Sequence, residues 1–189
     1  MTDTIENYNE IAWRLHQEVE MVKFLIGQQS DAKNIERLRR VYVRSVFSFI
    51  EGITFQLKQI ALERAVANRV TFSAAELALL NEEKYKLKDS GEADLTFEML
   101  ELQSNIKFAA KSFIKALDST YTATYSDSGW GSLKSAKGIR NRLTHPKTPH
   151  SIEITDSDFI TIEDAFEWYW EWFIKLLDET GFHSQVNGT

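Results

Sequence analysis

The segment Ser135–His150, "SAKGIRNRLTHPKTPH", gathers side chains that could do chemistry. Arg140 can grip a phosphate with two donors and stabilise charge as it develops. His145 can move a proton near neutral pH. On a helix Asn141 and His145 are four apart and share a face, and Arg142 and His145 are neighbours three apart. Arg140 and His145 are five apart, about 140° around the axis. They converge only if the arginine reaches around or the helix loosens at its end. Pro146 favours such loosening, because the residue before a proline is pushed off helical dihedrals. Gly138, three before Asn141, lets another backbone or a ligand come close. No carboxylate cluster lies nearby in the sequence to hold magnesium. The chemistry left is metal-independent and directed at a phosphodiester, with no cofactor. RNA carries its own nucleophile in the 2′-hydroxyl, whereas DNA does not. A plainer reading of the same residues is a basic helix end capped by a histidine, and spacing alone does not separate the two.

The rest of the chain sets the context. Its 189 residues are long enough for one domain with a substantial core, expected over residues 1–183 with 184–189 as a flexible tail. The net charge is −6, which weighs against a dedicated duplex-DNA binder. Yet no acid occurs between Asp127 and Glu153, where Lys134, Lys137, Arg140, Arg142 and Lys147 all fall. An anionic partner is expected there. Cysteine is absent, which excludes a disulfide scaffold, a thiolate metal site and a cysteine nucleophile. With an acidic, polar N-terminus that does not read as a signal peptide and no bilayer-length apolar run, a cytoplasmic protein is expected, away from membranes.

The elements that must position these residues read as helices. The only prolines are Pro146 and Pro149. Asp3 and Glu6 make a capping signature, and Ile5, Tyr8, Ala12, Leu15, Val19, Val22 and Ile26 form a stripe that ends at Gly27. His16 reads as a surface or boundary histidine. A second helix runs from Asp31 to about Asn68. Glu51 sits in its apolar centre, either facing water from a groove or half-buried against a basic partner. Ser73 and Glu76 cap a third helix, "AAELALLNEEKYKLK", and Gly91 marks a turn. A fourth helix covers "FEMLELQSNIKFAAKSFIKAL". A polar loop, "DSTYTATYSDSGWGS", leads to a short helix over Leu133–Thr144. A last helix begins at a Thr155/Asp158 cap and stops at Gly181. Its Trp168 and Trp172 either pack in a groove or face a second copy of the chain. No strand of useful length competes.

"IRNRLTHP" resembles the signature of the HEPN superfamily, the higher-eukaryote and prokaryote nucleotide-binding domains, in which an arginine and a polar residue precede a histidine a few positions on. "VRSVFSFIEG" is similar to the second helix of many bacterial members, where a glutamate closes an apolar run, and Glu51 matches it. "SGWGSLKSAKGIRNRLTHPK" is similar to a bacterial branch with a tryptophan before the motif helix. The resemblance implies an all-α bundle of four to five main helices with a short motif helix. Many members are metal-independent endoribonucleases in toxin–antitoxin, phage-defence or RNA-processing systems, and they dimerise with two motifs facing one cleft. By that likeness His145 is the acid–base group, Arg140 the phosphate binder, and Asn141 orients phosphate or imidazole. Arg142, Thr144, Lys137 and Lys147 are expected on the substrate side, with Glu51 in support. Single-stranded or loop RNA, a homodimer and an antitoxin or other protein are the implied partners. Other members do not cleave and serve as binding modules for RNA, nucleotide or protein.

Overall fold

A computed structural model describes residues 2–182, the side chains of 2–7 excepted. Its order is α1 (Thr2–Gly27), α2 (Ala32–Val66), α3 (Ala74–Leu80), β1 (Glu83–Leu87), β2 (Ala93–Phe97), α4 (Leu102–Ala116), α5 (Ser128–Thr144), a 3-10 helix (Pro149–Ile152) and α6 (Asp156–Glu179). The class is mostly all-α, as expected, with one small antiparallel sheet. No helix among the described residues is long and apolar enough to cross a membrane. The Asp3/Glu6 cap and the expected tail lie outside the described side chains.

The contacts divide the chain into two compact units. Among the described residues, one comprises 2–8, 54–123 and 178–182, and the other 9–53 and 124–177.

In the first unit, the second part of α2 meets α3, the hairpin and α4. Ala61, Phe72, Leu80 and Ala116 form a buried cluster, with Leu62, Leu77 and Phe108 packed against it. Ser73 and Glu76 close the predicted capping box, with the Ser73 N–H donating to Glu76 Oε2 at 2.7 Å and the Glu76 N–H to Ser73 Oγ at 3.2 Å. The Ser73 amide, then Lys115, holds the Glu76 carboxyl down at about 2. Lys58 is fully buried, its ammonium 2.6 Å from Glu82 Oε1. Burial lowers its pKa, and Glu82 opposes that shift.

The expected continuation of α3 through Lys88 is wrong. Asn81 caps the helix, and Glu82 takes a left-handed φ of 58°. Beyond it the chain alternates with period two, and Tyr85 pairs with Leu95 and Glu83 with Phe97 across the ladder. Gly91, at φ 83°, makes the turn. Residues 93–97 are thus strand, and α4 starts at Leu102, where the Glu101 carboxylate accepts from the Ser104 N–H at 2.9 Å. Tyr85, Leu87, Leu95 and Phe97 all point to one exposed face of the hairpin.

In the second unit, α1, the first part of α2, α5 and α6 supply the core. Val43, Val46, Phe49 and Ile50 of α2 are buried, as are Leu133 and Ala136 of α5 and Ile162, Phe166 and Tyr169 of α6. The Tyr169 hydroxyl donates to the Ile50 carbonyl at 3.2 Å. His16 is a boundary residue whose ring lies 4.3 Å from that of Trp170, with Phe49 and Phe166 around it. Trp168 and Trp172 stack at 5.9 Å, and Trp168 lies 5.4 Å from Trp130. Both rings thus pack against aromatic neighbours of their own unit.

Candidate functional site

α5 begins five residues earlier than the sequence predicts. The Asp127 carboxylate accepts from the Trp130 N–H at 3.0 Å, which caps the helix inside the expected loop and brings Trp130 into it. Trp130, Leu133, Ala136, Ile139 and Leu143, at steps of three and four, bury one face. Lys137, Arg140, Asn141 and Thr144 run along one flank of that buried face. The helix ends at His145, whose backbone N–H donates to the Asn141 carbonyl at 3.0 Å and whose φ of −125° has left the helix ahead of Pro146.

Arg140 is the centre of the arrangement. Its Nη2 donates to Glu51 Oε1 at 2.5 Å, and its Nη1 to Asn141 Oδ1 at 3.3 Å. Its guanidinium carbon lies 5.8 Å from the centre of the Phe47 ring. Thr144 Oγ1 donates to the Arg140 carbonyl at 3.0 Å. The Arg140 and Glu51 side chains are 34% and 45% exposed, so the pair is worth no more than about 1 kcal/mol and can be exchanged for another anion. Glu51 thus has a basic partner while keeping contact with water. A cleft of about 440 Å³ opens beside the pair, lined by Val43, Arg44, Phe47, Ser48, Glu51, Arg140, Leu143 and Thr144.

The predicted residues separate into three groups. Arg140, Thr144 and Glu51 line the cleft, and Asn141 touches it through Arg140. His145, Lys137 and Lys147 do not line it. Arg142 is engaged elsewhere. Its Nη1 donates to the carbonyls of Ser151 at 3.2 Å and Glu153 at 2.5 Å, and its Nη2 to Asp158 Oδ2 at 2.5 Å. Asp158 Oδ2 also accepts from the Thr155 N–H at 2.9 Å, within the predicted cap of α6. Burial pushes the Asp158 carboxyl up, but the Thr155 amide and Arg142 outweigh it and hold it below its ordinary value. Arg142 therefore ties the end of α5 to the start of α6, and binding a substrate would require breaking three hydrogen bonds.

Sequence reasoning missed Arg44, Phe47 and Ser48. Arg44 and Glu51 are seven apart, two turns of α2 and so on one face, and that spacing was the available signal. Among the described residues, no group of three or more His, Asp and Glu is placed to hold a metal ion. No protein-family model, curated protein or solved structure matches the chain.

Proposed function

We propose that the chain is a metal-independent endoribonuclease of the HEPN type, working as a homodimer with a composite cleft. The observation that carries this reading is the Arg140 guanidinium, held by an exchangeable carboxylate on the wall of a cleft that Arg44 also lines. A substrate phosphate entering the cleft displaces Glu51 and takes both guanidinium groups. The 2′-oxygen then attacks phosphorus, and the bond from phosphorus to the 5′-oxygen breaks. One proton leaves the 2′-hydroxyl and another reaches the departing 5′-oxygen, giving a 2′,3′-cyclic phosphate and a 5′-hydroxyl. His145 is the proton carrier. Because His145 lies outside this chain's own cleft, the histidine that completes each site comes from the second copy. Toxin–antitoxin or phage-defence systems are the expected setting, with a protein antitoxin as the regulator.

Incubating wild-type protein and His145→Ala with mixed RNA and a chelator, followed by end mapping, tests this. Cyclic-phosphate ends are expected from the wild type, and a loss of about 100-fold or more in rate from the variant. Unchanged cleavage by His145→Ala, or a need for added divalent metal, overturns it.

Two observations favour a second reading, a non-cleaving binding module: Arg140 is already paired, and His145 does not line the cleft. That module forms complexes that survive Arg140→Ala and leaves RNA intact.

A further inference from the structure

The cleft has an approach that the sequence motif does not contain. From Lys33 to Arg44, α2 carries five cations, Lys33, Arg37, Arg39, Arg40 and Arg44, against one acid, Glu36. Arg39 belongs to another face, where its Nη2 meets Asp156 at 2.5 Å. The other four fall at positions 33, 37, 40 and 44, steps of four, three and four, so they share one face within about 60° at 100° per residue. Glu51, two turns past Arg44, continues that line into the cleft.

These four cations are not equivalent. Arg40 is held by Glu36 at 2.5 Å and sits partly buried. Lys33, Arg37 and Arg44 are exposed, and among the described residues none of them has an ion-pair partner. Arg37 donates to the Asn34 side chain at 3.3 Å and Arg44 to the Arg40 carbonyl at 3.5 Å, weak contacts that an incoming anion can replace. Three unpaired cations in a chain of net charge −6 make a local positive strip about 16 Å long, from the start of α2 to the mouth of the cleft.

We infer that this strip is a phosphate track: Lys33, Arg37 and Arg44 hold the backbone of a single nucleic-acid strand of a few nucleotides and deliver one phosphate to Arg140. It rests on the ribonuclease reading for what happens at Arg140, but not for the binding itself. Two of the three cations are arginines, whose planar fork fits phosphate oxygens. A single line of cations follows one backbone, and the strip's contacts are to charge and not to bases, so binding is tolerant of sequence and sensitive to salt.

The test uses a fluorescein-labelled 2′-O-methyl RNA oligonucleotide, which cannot be cut by 2′-hydroxyl attack, titrated with full-length protein over a range of salt. K33Q/R37Q/R44Q should weaken binding at least about tenfold at low salt and flatten the log-affinity against log-salt slope by about 2, as expected for three lost contacts on a single strand. Arg44→Gln alone should flatten it by about 0.7. K84Q/K86Q/K88Q, the same charge change on the hairpin, should leave both readouts unchanged. Equal losses in the two triple variants, or none in the first, overturn the track. So does a poly-glutamate peptide whose binding the first triple variant abolishes while RNA binding persists, which would make the strip a protein-docking surface. Track-dependent binding without cleavage of natural RNA removes the ribonuclease reading and keeps the track. Cleavage of natural RNA with KM unchanged in K33Q/R37Q/R44Q removes the track and keeps the ribonuclease.

Discussion

Arg140 has two competing partners: the Glu51 carboxylate at 2.5 Å, and any anion that enters the cleft. That competition sets the outcome of Glu51→Gln. Removing the negative charge from a half-exposed pair frees the guanidinium, so the non-cleavable oligonucleotide should bind about two- to fivefold tighter. Cleavage at saturating RNA should be unchanged in the same variant, because the bound phosphate has already displaced Glu51 from the arginine. Weaker binding in a fluorescence titration would show that Glu51 does something other than hold Arg140. The contrast with Arg142 is instructive at this scale. Both arginines stand in one acid-free window and look alike in sequence. Their fates are decided by residues far from the motif, Glu51 for one and the Ser151–Asp158 segment for the other. The Arg140–Glu51 pair spans 89 positions, and no local pattern announces it.

At the scale of elements, caps were legible and continuations were not. Ser73/Glu76 and Thr155/Asp158 cap helices as their spacing predicts, because a cap is a local contract between residues three apart. The hairpin was lost because "NEEKYKLK" is rich in helix formers, and nothing local reveals that Glu82 turns to positive φ. Two glycines of α5 make the packing testable. A Cβ on Gly129 would come within 2.2 Å of the Trp168 ring, which is held between Trp130 and Trp172. Gly129→Ala should therefore cost about 1–3 kcal/mol in urea unfolding. A Cβ on Gly138 meets nothing within 4 Å, so Gly138→Ala should stabilise the chain by up to about 1 kcal/mol. If a second copy comes close at Gly138, the same variant should weaken dimerisation in sedimentation experiments.

The whole molecule answers to pH through the caps as well. Glu76 and Asp158 each cap a helix and hold a base, and both are more acidic in the folded chain than at their ordinary values. A carboxyl whose pKa is depressed by folding adds stability above its unfolded pKa and loses it as pH falls through the folded one. For Glu76 the window runs from 4.5 down to about 2. Melting temperature should therefore hold steady on acidification to about pH 5 and then fall, with Glu76→Gln and Asp158→Asn each flattening the fall. A variant pair with the wild-type slope would remove these two carboxyls as a cause. The helical class was legible in the scarcity of prolines and the steps of three and four, whereas the division into two units depends on contacts between distant segments and has no local signature.

That division meets the distribution of indole rings in a useful way. All five tryptophans, Trp13, Trp130, Trp168, Trp170 and Trp172, belong to the unit built from residues 9–53 and 124–177. Tryptophan emission is therefore a selective optical channel: it reports on the unit that holds the cleft and is silent on direct changes in the unit that holds the hairpin. Phe72→Trp, in the buried cluster of the silent unit, would open a second channel, and the two transitions could then be timed against each other in a single cuvette.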